Sequence, residues 1–132
     1  MAALPKLDMY INGERVKPAS GEYFETFNPF TGKPWALVGR GGEADAARAV
    51  EAAKAALENP EWAGITASQR GHLLRRLGDI LAENAERLGE LEVQDNGKLI
   101  AEMGMQCKYL PQWYYYFGGL ADKIEGAVLP ID

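Results

Sequence analysis

A protein catalyst needs a nucleophile, an acid or base, and a group that binds charge, all able to converge. This chain has one thiol and one imidazole to offer. Cys107 falls on the apolar stripe of a helical pattern with no histidine near it in sequence, so a buried structural thiol is the favoured reading over a nucleophile. His72 sits beside Leu73 and Leu74, between Arg70 and Arg75, the place of a surface or half-buried helix residue. One His and one Cys do not make a metal site of the usual spacing. Gly39-Arg-Gly-Gly42 resembles a phosphate loop but has Ala44 where the third glycine of Gly-x-Gly-x-x-Gly would stand and no following lysine, so no Gly-x-Gly-x-x-Gly follows a strand. The run from Trp113 to Phe117 is aromatic at five successive helix positions, so it points all round the helix and suits burial better than base stacking. Asp95, just ahead of Asn96-Gly97, stands at a helix C-terminus, where its charge opposes the helix dipole. It is either a solvated surface acid or one that has found a partner or a cation.

The elements that must position these residues change in period along the chain. Met9–Ile11 and Arg15–Val16 flank Asn12-Gly13, a pair that tolerates positive φ and suits a two-residue hairpin turn. Tyr23–Phe27, closed by Asn28-Pro29, and Pro34–Val38, opened by Thr31-Gly32, read as further strands of a small antiparallel portion. After Gly41-Gly42, Ala47, Val50, Ala53 and Leu57 recur at helical spacing up to Asn59-Pro60. Thr66 and Gln69 form a capping box, behind which Leu73, Leu74, Leu77, Ile80 and Leu81 make one apolar face. The pattern continues through Leu88, Leu91 and Val93 after a joint near Asn84, and stops at Asn96-Gly97. A last helix is expected from about Leu99 to Leu120, with Pro111 inside it and expected to kink it. Residues 124–131 alternate weakly and read as a strand. The fold class is therefore α+β, mainly helical with a small antiparallel β portion at the front.

Composition closes off several functions. Of 132 residues, 47% are hydrophobic and 25% charged, the balance of an ordinary globular domain. A net charge of −5 argues against a nucleic-acid partner, which would need a basic face. No apolar run is long enough to span a membrane, and the first residues carry no apolar core of a secretory signal. The single cysteine fits a reducing compartment, and the expectation is a cytoplasmic protein.

Taken in order, several stretches are similar to the amino-terminal region of NAD(P)-dependent aldehyde dehydrogenases: Tyr10-Ile-Asn-Gly-Glu14, Phe27-Asn-Pro-Phe-Thr-Gly32, Arg48-Ala-Val-Glu-Ala-Ala53, and Trp62 ahead of Arg70-Gly-His-Leu-Leu74. Further on come Leu91-Glu-Val-Gln-Asp-Asn-Gly-Lys98, Tyr115-Tyr-Phe-Gly-Gly-Leu-Ala-Asp-Lys123 and Leu129-Pro-Ile-Asp132. The resemblance implies a parent of the α/β aldehyde dehydrogenase fold, an oxidoreductase that converts an aldehyde to a carboxylic acid with NAD or NADP. In that family a cysteine thiolate attacks the aldehyde, hydride passes to the nicotinamide, and a glutamate-activated water releases the acid. The motifs that do this are expected beyond residue 132, so the chain alone is expected to be inactive. Cys107 does not match the nucleophile's motif.

By the same resemblance, residues 1–123 form a hairpin and helical layer that packs on the NAD-binding domain, and 124–132 begin the strand of an oligomerisation arm. Partners would be the remainder of the dehydrogenase chain or other subunits. Two lesser roles carry over. Thr26 and Phe27, through their backbone, and Asp95, through its carboxylate, match positions that hold a monovalent cation in some members. Met105 and Tyr109, one turn apart on the last helix, match positions at the mouth of the aldehyde tunnel, with simple core packing the competing reading. The other class kept open is a catalytically inactive truncated product that acts as a protein-interaction module.

Overall fold

A computed structural model describes residues 3–131. It divides into two compact units: Met1–Gly64 with Glu92–Lys98, and Ile65–Leu91 with Leu99–Asp132.

The first unit carries the strands. β1 (Lys6–Leu7), β2 (Met9–Ile11), β3 (Glu14–Val16), β4 (Tyr23–Asn28) and β5 (Lys33–Gly39) are followed by α1 (Glu43–Glu58) and the single turn α2 (Pro60–Ala63). β2 and β3 form the expected antiparallel hairpin, with Asn12 and Gly13 both at positive φ (54° and 79°), the signature of a turn whose twist matches its strands. β4 and β5 are antiparallel and β1 joins the other edge of β5 in parallel, giving the order β1-β5-β4. The parallel pair was not expected. A two-residue strand is too short to show a period, and its pairing depends wholly on a distant partner. Thr26 pairs with Ala36 but Phe27 pairs with Pro34, so Trp35 is the extra residue of a β-bulge. The bulge also accommodates Pro34, which has no N–H to give a ladder.

α1 starts where a carboxylate gathers orphan amides. Asp45, only 3% exposed, accepts from the Gly42 N–H at 3.0 Å and from the Ala19 N–H at 3.1 and 3.2 Å. It thus satisfies the N-cap amide of the helix and ties the β3–β4 loop to it.

The second unit is built on α3 (Ala67–Glu83) and α5 (Ile100–Leu120), with the first turns of α4 (Ala85–Asn96). The capping box is present: Thr66 Oγ1 accepts from the Gln69 N–H at 3.2 Å, and Gln69 Oε1 accepts from the Thr66 N–H at 2.7 Å. Asn84 is the joint between α3 and α4, its side-chain amide donating to the Ile80 carbonyl at 2.8 Å. α3 and α5 meet glycine to glycine, since a β-carbon added to Gly118 would stand 2.8 Å from the Gly71 carbonyl oxygen. Below that crossing the Tyr115 hydroxyl donates to Asp79 at 3.0 Å. Met103, Cys107, Pro111 and Gly118 form the buried stripe of α5, which runs on without interruption through Pro111.

Residues 124–131 correct one expectation. They form no strand: Val128 and Leu129 are 95% and 80% exposed, and no described residue pairs with them. Alternation marks which face a strand would bury, but only a ladder makes a strand, and these residues have none. Asp132 lies outside the described residues.

Candidate functional site

Two places gather the residues singled out above. The first is in the strand-bearing unit. β4 is an edge strand, so alternate carbonyls along it have no ladder partner, and the bulge interrupts the register between Thr26 and Phe27. The C-terminus of α4 comes to the same spot. Gly97 ends it at φ 75°, and a β-carbon there would lie 2.6 Å from Pro29 Cγ, so glycine is needed for both conformation and close approach. Its N–H bonds the Val93 carbonyl at 2.9 Å, while Asn96 holds Glu92 and the Lys98 N–H. Asp95, one residue before the end of α4, accepts the Thr26 hydroxyl at 2.8 Å. The acid that opposed the helix dipole has therefore found a partner, 69 residues away in sequence. Thr26, Phe27 and Asp95 supply oxygen ligands only, with one carboxylate among them. Among the described residues no group of three or more His, Cys, Asp or Glu could hold a metal ion.

The second place is a groove of about 650 Å³ in the helical unit. Met105 and Tyr109 both line it and are 66% and 58% exposed, so core packing within this unit does not account for them. The ring of Tyr109 is steadied edge-to-face by Trp113, with centroids 6.1 Å apart. Ala101, Gly104, Lys108 and Gln112 continue the α5 wall at helical spacing, and Glu86 and Glu90 of α4 face them. The α5 neighbours were within reach of the sequence, since they share the periodicity of Met105 and Tyr109. The α4 wall was not, because nothing local brings positions 86 and 90 to that face.

The candidates for chemistry are dispersed. Cys107 is 8% exposed on the stripe with Met103 and Pro111, roughly 200° around the helix from Met105 and Tyr109. His72 is exposed and lines a separate polar depression with Ser68, Arg75 and Lys123. No hydrogen bond joins Cys107 to His72 among the described residues. In Gly39-Arg-Gly-Gly42 the Gly42 amide already serves Asp45, which withdraws that donor from a phosphate. No helix among the described residues is long and apolar enough to cross a membrane.

Comparison with known proteins places the chain in one family. The family model for the aldehyde dehydrogenase family matches residues 16–132. (Z)-2-((N-methylformamido)methylene)-5-hydroxybutyrolactone dehydrogenase of Acinetobacter baylyi is 42% identical over 98% of this chain and 26% of its own length. Hydroxyisobutyraldehyde dehydrogenase of Mycolicibacterium austroafricanum is 40% identical over 98% of this chain and 25% of its own. Among solved structures, the NAD+ complex of aldehyde dehydrogenase from Bacillus cereus superposes with a TM-score of 0.90 at 38% identity, covering 96% of this chain and 26% of that one. The chain belongs to the aldehyde dehydrogenase family. It spans about a quarter of the length of the relatives it matches.

Proposed function

We propose that this segment supports, and does not itself perform, the oxidation of an aldehyde to a carboxylic acid with NAD or NADP. The observation that carries the reading is the convergence of Met105 and Tyr109 on one open groove while the lone thiol is buried on another face of the same helix. In this reading the groove is part of the wall along which an aldehyde approaches. The catalytic thiol, the glutamate and the cofactor site lie in further dehydrogenase chain. Leu73, Leu77 and Ile80, one face of α3 that remains substantially exposed, support packing of this layer on more protein, as the NAD-binding domain of the family would provide. Residues 124–132 would then enter an oligomerisation arm, where a neighbouring strand supplies the missing ladder. Thr26, Phe27 and Asp95 would hold a monovalent cation, supported by the bulge and by the contact between Thr26 and Asp95. The compartment is read as cytoplasmic from the single free cysteine.

The test is direct. The purified 132-residue chain, given NAD or NADP, potassium or sodium, and a panel of aliphatic and aromatic aldehydes, should form no reduced nicotinamide. Aldehyde-dependent reduction that scales with chain concentration and disappears in Cys107→Ala would contradict the reading.

A further inference from the structure

The helices of the second unit contain six glycines: Gly71 and Gly78 in α3, Gly89 in α4, and Gly104, Gly118 and Gly119 in α5. Glycine inside a helix costs roughly 1 kcal/mol relative to alanine, so each one asks for a reason. Three have one. A β-carbon on Gly71 would collide with the Gly118 carbonyl oxygen, and one on Gly118 would lie 2.8 Å from the Gly71 oxygen. At Gly78 it would meet the Tyr115 ring at 2.7 Å, whereas at Gly119 it would touch only the movable end of Arg75 at 3.3 Å and at Gly89 it would make an ordinary contact with the Cα of Gly104 at 3.4 Å.

Gly104 is the one of the six at which no neighbour limits a side chain. A β-carbon there meets nothing within 4 Å, and its φ is not in the positive region that favours glycine. Neither packing nor backbone conformation within the unit requires the missing side chain. What its absence leaves is room, and the room belongs to the groove that Gly104 lines together with Met105 and Tyr109.

We infer that Gly104 sets the width of the groove and so determines which aldehydes pass along it, admitting an aromatic ring or a branched chain that a side chain at this position would shut out. The inference rests on the groove being the aldehyde's approach, as proposed above. A volume of about 650 Å³ is within the usual range of small-molecule sites, so a ring has space while Gly104 stays bare. The adjoining Tyr109–Trp113 pair gives that ring aromatic edges to pack on.

The experiment compares the 132-residue chain with its Gly104→Ala and Gly104→Leu variants. Each is titrated with benzyl alcohol, which has the ring of an aromatic aldehyde without a carbonyl that would condense with Lys108, and binding is read from the methyl resonance of Met105. Gly104→Leu should weaken binding by roughly tenfold or more, and Gly104→Ala by a smaller factor. Both variants should keep the helix content of the parent, with Gly104→Ala melting at the same or a higher temperature. Equal affinity in the parent and Gly104→Leu would overturn the inference, as would a lower melting temperature for Gly104→Ala, which would mark the glycine as a packing residue. Met105→Ala and Tyr109→Ala, with binding followed on the ligand's own resonances because Met105→Ala lacks the reporter methyl, separate the role of the glycine from that of the groove. If they weaken binding and Gly104→Leu does not, only the role of Gly104 falls. If the parent does not bind, or neither variant changes binding, the aldehyde groove itself is refuted.

Discussion

Met103 and Met105 are two residues apart on α5 and have opposite circumstances. Met103 is 5% exposed on the stripe it shares with Cys107 and Pro111, while Met105 is 66% exposed in the groove with Tyr109. One helix thus separates a face that holds the unit together from a face with no structural task inside it. The nucleophile by residue type, Cys107, lies on the structural face, and the residues free to meet a ligand are a methionine, a tyrosine and a bare glycine.

If the comparison is sound, substitutions on the two faces must differ in kind. Met103→Ala removes a buried side chain and leaves a cavity, and should cost about 2–5 kcal/mol in denaturant unfolding. A loss no larger than that of a surface change would break the contrast. Gly118→Ala places a β-carbon against the Gly71 backbone, where neither helix can yield without moving, and should cost about 1–3 kcal/mol despite the better helix propensity of alanine.

Tyr115→Phe should have a smaller effect, and one that depends on pH. The hydrogen bond to Asp79, helped by burial and by the charges of Asp79 and Glu83, raises the Tyr115 pKa above its ordinary value of 10.0. A raised pKa means that the folded state favours the neutral phenol. The stabilisation is therefore fully present below the unfolded value and is lost as pH rises through the folded one. Unfolding of the parent followed from neutral to strongly alkaline pH should lose this stability at the alkaline end, and Tyr115→Phe should flatten that loss. At the small extreme, Met105→Ala should change stability by no more than about 0.5 kcal/mol while weakening ligand binding in the groove. A large destabilisation would return Met105 to the core.

Much of the frame was legible because its signals are local. Thr66 and Gln69 announce the start of α3, Asn12-Gly13 the hairpin, and Asn96-Gly97 the end of α4, each through chemistry completed within four residues. The pairing of Asp95 with Thr26 was half legible: the sequence showed an acid in need of a partner, and only folding brings the hydroxyl. Three features depended on distant chain and were missed. β1 joins β5 through two residues, Asp45 reaches back to the Ala19 amide, and Glu86 and Glu90 complete the groove from another helix. The strand expected at 124–131 is unformed in this chain for the same reason in reverse, since its alternation is local and the ladder it needs is not.

The two methionines also supply the most direct measurement of the central claim. With methyl-labelled methionine in the 132-residue chain, titration with benzyl alcohol should shift the Met105 resonance saturably and leave that of Met103 in place. Equal shifts at both methyls, or a shift at Met103 alone, would contradict the assignment of one face of α5 to structure and the other to the approach of substrate.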